Sequence, residues 1–404
     1  MGKNIVICCD GTGNEVEGNL SNVLKLFRIA EKSPAQRVYY HPGIGTIGSR
    51  DNWTRLKQDT WSVFGLVTGY GLDADTLAAY QFICDRYEDG DSIFLFGFSR
   101  GAYTMRVLAA FIHMVGLLPP DQSDVASYAL TAYKRSGEVG EFKIAWDFSR
   151  VMGGRRVPIK FVGCWDTVAS VIVPRPDRLY VPTLQMLPYT RTNPSVMAFR
   201  HAMAIDEKRR MFRLNRWIPG QNFVADPFGP DWQGVPQDIK QVWFAGVHSD
   251  VGGGYPEDQS AASKFPLQWM IDEAVAHGLK INEAIRTHLV DGAPLPDGRS
   301  MYVAPSATAK LHDSMTAAWR IFEYIPKSVK WNEWPRKKFL GLYIPDCEPR
   351  SLVRDDPRPL LHQSVIDRKN QVADYQPINW PADFAVEPYR PAQEPAPPEP
   401  VKAA

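Results

Sequence analysis

The chain has 404 residues, enough for two domains or one elaborated domain with a large core. Lysine and arginine total 46 against 45 acidic residues, and the resulting charge of +1 gives no bulk electrostatic reason to expect nucleic acid. The five cysteines form no CxxC pair and no Cys/His grouping at metal spacing, so reduced thiols are expected rather than a disulfide framework or a zinc site.

The opening MGKNIVICCDG has one lysine and a short apolar run, without the long apolar region or cleavage site of a signal peptide. The longest apolar stretch, residues 107–118, is interrupted by His113 and closes on Pro119 and Pro120. It falls short of the ~20 residues that span a bilayer. A soluble, cytoplasmic protein as synthesised is expected, with export by a signal-independent route as the alternative.

Five continuously apolar runs, residues 4–9, 36–41, 92–96, 158–165 and 241–247, read as buried strands of a parallel sheet. Helical patterns fall at 20–31, 73–87 and 100–115. Their alternation predicts an α/β fold, a mostly parallel central sheet flanked by helices. Residues 167–237 are punctuated by proline and are expected to form an insertion over one end of the sheet. The reading is one domain over 1–300, a C-terminal extension over 301–380 packed on the core as a cap, and a proline-rich disordered tail over 381–404.

Ligands of open α/β sheets sit outside the carboxyl ends of the strands. There the first run delivers Asp10-Gly11-Thr12, the third Gly97-Phe98-Ser99-Arg100-Gly101, the fourth Asp166 and the fifth His248-Ser249-Asp250. Serine, acid and histidine therefore follow apolar runs in the chain order of an α/β-hydrolase triad. Ser99 sits in GFSRG, where a nucleophile elbow needs nearly side-chain-free neighbours at Gly97 and Gly101. A bare GxSxG arises by chance in roughly one chain in eight of this length, so the flanking strand and helix carry the assignment.

Asp166 is the expected partner of the base, with Asp250 and Asp206 as rival acids. His248 is the expected base, with His312 and His362 in reserve. The Arg100 N–H at a helix start is expected to face the oxyanion, joined by the Gly11 or Thr12 N–H. An aspartyl-phosphatase reading of the DGT loop fails because Cys8 occupies the position of the second aspartate. A phosphate-cradling loop fails because no GKS or GKT follows.

The motifs DGTGN, YHPGIGT, GFSRGAY, GCWDTV, AIDEKRRMF and GVHSDVGGGY, in that order over residues 3–255, resemble the DUF2235 family. This α/β-hydrolase group includes the catalytic domain of Tle1-type type VI secretion phospholipase effectors. The resemblance implies Ser99, Asp166 and His248 as the triad, and phospholipase A-like hydrolysis of lipid esters for the secreted members. It gives an immunity or delivery partner only to a secreted effector.

AIDEKRRMF is expected to be a helix face laced with salt bridges, with an anion site at Arg209 and Arg210 as the alternative. The aromatics of residues 315–350 are expected to pack as a C-terminal cap, although the interleaved lysines would also suit an anionic bilayer. The expected function is ester hydrolysis through an acyl-enzyme, on an acyl ester that a membrane surface presents if it is a lipid, with no metal or organic cofactor. The alternatives are an esterase, thioesterase or amidase for a small soluble substrate, and a scaffold with vestigial catalytic parts.

Overall fold

The computed structural model describes residues 2–11, 19–43, 71–139, 143–168, 172–174, 182–184, 187–226, 234–294, 298, 301–329, 332–335 and 337–389. Eight strands form the central sheet: β1 Asn4–Cys9, β2 Gln36–His41, β3 Ser92–Phe98, β4 Ile159–Trp165, β5 Val196–Ala204, β6 Asp238–Phe244, β7 Leu360–His362 and β8 Ala385–Glu387. They run in the order β8-β7-β6-β5-β4-β3-β1-β2, every neighbouring pair parallel. The α/β expectation holds.

Apolar residues point to both faces of these strands, so helices must cover both. Ile5, Ile7 and Cys9 pack under helices α2 (Leu72–Cys84), α3 (Arg100–Val115) and α4 (Ala126–Val139). Val6 and Cys8 face α1 (Asn22–Ile29) and α6 (Lys264–Ala276) on the other side. A short helix α5, His248–Gly252, follows β6. A further helix α7, Ala317–Tyr324, lies in the C-terminal extension.

Three expectations change. Residues 167–237 are not purely an insertion, because β5 lies among them and pairs with β4 and β6. The extension does more than cap the core, because β7 continues the sheet beside β6. The segment expected to be tail supplies β8, which pairs with β7; residues 390–404 lie outside the described residues. No helix among the described residues is long and apolar enough to cross a membrane.

Parallel register aligns the strand ends. Cys9 pairs with Gly97, Phe98 with Trp165, Trp165 with Ala202, and Ala204 with Phe244. The residues that follow, Asp10, Ser99, Asp166, Asp206 and His248, therefore gather along one edge.

Candidate active site

Ser99 joins β3 to α3 with φ 56° and ψ −119°, a conformation uncommon for a residue with a side chain and found where structure holds strain for function. The turn is tight on both sides. A Cβ on Gly97 would lie 2.5 Å from the Gly101 and Ala102 backbones, and one on Gly101 would lie 2.2 Å from the Cys9 carbonyl oxygen. The Ser99 N–H donates to the Trp165 carbonyl at 3.1 Å, so the serine is tied to the end of β4.

The next residue of β4's line, Asp166, is fully buried and has φ 37°. Its Oδ2 lies 2.5 Å from His248 Nδ1, and its Oδ1 accepts the Ala204 N–H at 2.9 Å. Burial works to raise the carboxyl's pKa. The Arg350 guanidinium and the His248 bond outweigh it and hold the acid well below the usual carboxylate range. Arg350 Nη1 donates to Oδ1 at 2.6 Å and Nη2 to Oδ2 at 3.0 Å, a two-pronged contact.

His248 opens α5 with its ring 4.6 Å, centroid to centroid, from that of Phe98, which precedes the serine, and 4.9 Å from an edge-on Phe212. Burial pushes its pKa below the ordinary imidazole value, with Asp166 opposing. Its backbone N–H donates to Glu207 Oε2 at 3.2 Å. Burial would raise Glu207, but Arg209, 2.8 Å away, brings it down to about 2. The Arg209 guanidinium lies 3.6 Å over the Phe212 ring. AIDEKRRMF carries the expected salt bridges, Arg209 with Glu207 and Arg210 with Glu333 at 2.8 Å each, but not on a helix face. Only Arg210–Phe212 turns, as a 3-10 helix, and the segment walls the histidine.

The rival acids and reserve histidines are engaged elsewhere. Asp250 bonds His312 Nδ1 at 2.7 Å and the Val247 N–H at 3.0 Å. Asp206 accepts from the Gly246 N–H at 2.6 Å and the Tyr375 hydroxyl at 3.0 Å, and burial raises it to about 6. His362 bonds Ser364 Oγ at 2.8 Å. Of the three acids, Asp166 meets His248.

Gly11 adjoins Ser99, since a Cβ there would lie 3.2 Å from the serine Cβ. Its N–H, however, donates to Asp10 Oδ1 at 2.7 Å, which directs it away from an oxyanion in this conformation. Asp10 Oδ2 in turn accepts from Tyr40 and Ser21, fixing the loop. Thr12 lies outside the described residues. Arg100 is the first helical residue of α3 and presents its N–H at the positive end of that helix.

Sequence reasoning missed Arg350, Glu207 as a histidine partner, and Phe212. It also missed a grouping of Cys9, His41 and Asp75, whose ligand atoms lie within 4.8 Å of one another. His41 Nδ1 accepts the Gly43 N–H at 3.2 Å, which leaves the proton on Nε2, 3.5 Å from Asp75.

The aromatic extension splits. Trp319 stacks edge-on against Phe212 at 5.4 Å, and Tyr343 is buried. Phe339 and Leu340 are 77% and 86% exposed at the tip of a tight hairpin, closed by reciprocal bonds between Phe339 and Leu342. Leu340 there has φ 48°, and Lys337 and Lys338 are exposed beside it.

A family model described as the catalytic domain of Tle1-like phospholipase effectors of the type VI secretion system matches residues 3–273. An uncharacterized protein of Saccharomyces cerevisiae, YEL023C, is 33% identical over 237 residues, 54% of this chain and 33% of that protein. The chain thus spans about a third of the length of this curated relative. A crystal structure of an uncharacterized protein from Pseudomonas aeruginosa is similar at 18% identity and TM-score 0.40, over 76% of this chain and 49% of that one. The structure of the Tle1 effector bound to the VgrG spike of the type 6 secretion system is similar at 20% identity and TM-score 0.34, over 65% and 53%.

Proposed function

The chain belongs to the family of Tle1-like catalytic domains of type VI secretion phospholipase effectors, and on that premise we propose that it is a serine hydrolase that cleaves carboxylic esters of lipids in phospholipase A fashion. The observation that carries the reading is the 2.5 Å contact between Asp166 Oδ2 and His248 Nδ1 on the sheet edge that also bears the strained Ser99. In this mechanism Asp166 accepts Nδ1–H and leaves Nε2 free as the base. His248 takes the Ser99 proton while Oγ attacks the ester carbonyl. The Arg100 N–H, at the start of α3, stabilises the oxyanion. His248 then protonates the leaving alcohol, and water, deprotonated by the same imidazole, releases the acyl group.

The exposed Phe339-Leu340 tip beside Lys337 and Lys338 favours a lipid surface over a small soluble ester. An apolar tip next to cations suits insertion at an anionic interface. A delivery or immunity partner belongs to the proposal only if the protein is exported as an effector, a route that the family match supports.

The test is a panel of phospholipid vesicles and short monomeric acyl esters, read with wild type and Ser99→Ala. Serine-dependent release of fatty acid that jumps at the vesicle surface supports the reading. Turnover of monomeric esters without that jump moves the protein to the soluble-ester alternative, and no turnover of either speaks for a scaffold.

A further inference from the structure

Arg350 lies beyond the family-matched span of residues 3–273, yet its guanidinium is seated inside the candidate site. We propose that Arg350 is a positioning residue for the acid–base pair: it locks the Asp166 carboxylate against His248 and cancels that carboxylate's charge. The C-terminal extension then completes the site. The proposal rests on the serine-hydrolase reading above.

The fork has four partners. Nη1 reaches Asp166 Oδ1 at 2.6 Å and the Ala204 carbonyl at 3.3 Å. Nη2 reaches Asp166 Oδ2 at 3.0 Å and the Phe212 carbonyl at 2.6 Å. A planar guanidinium can hold both carboxylate oxygens at once; an ammonium is a point charge without that fork. The two carbonyls belong to the stretch whose Phe212 flanks the imidazole and whose Ala204 N–H bonds the same carboxylate. Asp166 Oδ2 serves Arg350 and His248 together, so any rotation that breaks the histidine bond also breaks the fork. The Arg350 carbonyl is itself held by Asn379 Nδ2 at 2.9 Å, which also donates to the Ile205 carbonyl at 3.0 Å.

A buried ion pair can be merely structural, so the electrostatic consequence decides. The charged groups around the imidazole are Asp166 with Arg350, and Glu207 with Arg209. Asp250, on the histidine's own helix, is paired with His312, and the flanking rings of Phe98 and Phe212 are neutral. The Asp166–Arg350 and Glu207–Arg209 pairs each carry one positive and one negative charge. Removing the arginine cation leaves Asp166 uncancelled beside the ring, which favours the imidazolium and keeps the base protonated to higher pH.

The experiment measures the rate at which the full chain reacts with a fluorophosphonate probe as a function of pH, for wild type, Arg350→Lys and Arg350→Met. Near-UV circular dichroism checks that each is folded. Arg350→Met is expected to move the acid limb of the rate profile up by about one pH unit. Arg350→Lys keeps the charge and loses the fork, so the limb stays and the rate falls about tenfold or more. Wild-type rate and limb in both variants overturn the proposal, as does a uniformly slowed Arg350→Met with an unshifted limb. If Arg350→Met does not fold, Arg350→Lys decides alone, and a rate within twofold of wild type overturns it. A wild type that fails to label sinks the serine-hydrolase reading itself, whereas a labelling wild type matched by both variants removes only the role of Arg350.

Discussion

Gly252 lies so close to Phe98 that a methyl group built on its Cα would be 1.9 Å from the ring. Phe98 immediately precedes Ser99, and Gly252 ends the helix that His248 begins. This contact seats the histidine helix against the serine strand. Gly252→Ala would ordinarily favour a helix by about 0.5–1 kcal/mol, but overlap with a buried ring costs about 1–3 kcal/mol, so destabilisation wins. Urea denaturation is expected to show a lower midpoint together with reduced hydrolysis. An unchanged midpoint would mean that the two elements are not packed this tightly.

His248 and His312 should part company under substitution. His248 bonds Asp166 on the serine's edge, whereas His312 bonds Asp250 and lies stacked on Tyr255 at 3.5 Å. His248→Ala is expected to cut turnover by about 10³-fold or more. His312→Gln is expected to retain activity within about tenfold. Steady-state rates on one acyl ester separate the outcomes, and the reverse ranking would reassign the base.

The acid limb of kcat/KM should lie below pH 6.5. The base acts when neutral, and burial lowers the pKa of His248 from its ordinary 6.5. A lowered pKa keeps the imidazole unprotonated further into acid, so activity persists there. A pH–rate profile whose acid limb falls at or above 7 would contradict the charge balance around the ring.

Asp206 should make stability decline as the pH rises. Its folded-state pKa, raised by burial to about 6, stands above the ordinary 3.8, so the folded state binds the proton more tightly than the unfolded state. The stability it contributes is full below about pH 4 and is lost as pH climbs through 6. Asp206→Asn keeps an acceptor for the Gly246 N–H and a partner for Tyr375 without a charge. The variant is expected to gain about 1–2 kcal/mol on wild type between pH 4 and pH 8. Denaturation curves at the two pH values measure the gain, and a constant difference would refute it.

The inner strands read as continuous apolar runs were legible because a parallel sheet with helices on both faces buries both of their sides, whereas β2, at the sheet edge, is exposed or half-buried after Gln36. That register also made the candidate site readable, since residues placed just past apolar runs meet at one edge. Strand β5 was hidden by Arg200 and His201, which interrupt its apolar pattern. Both are buried: Arg200 pairs with Glu273 and Asp238 at 2.5 and 2.7 Å, and His201 accepts the Thr167 N–H at 3.0 Å. The partners that permit this lie far away in sequence. Strands β7 and β8 have three residues each, too few to show a period. Arg350 had no local signal at all, because its meaning lies in a carboxylate 184 positions earlier.

The most direct test of the central claim is covalent capture at Ser99. Wild-type protein treated with a fluorophosphonate probe, digested and mapped by mass spectrometry is expected to carry the adduct on the peptide containing GFSRGAY, and Ser99→Ala, folded by circular dichroism, is expected to carry none. An adduct that persists in Ser99→Ala, or a folded wild type that shows none across pH 6–9, would contradict the account.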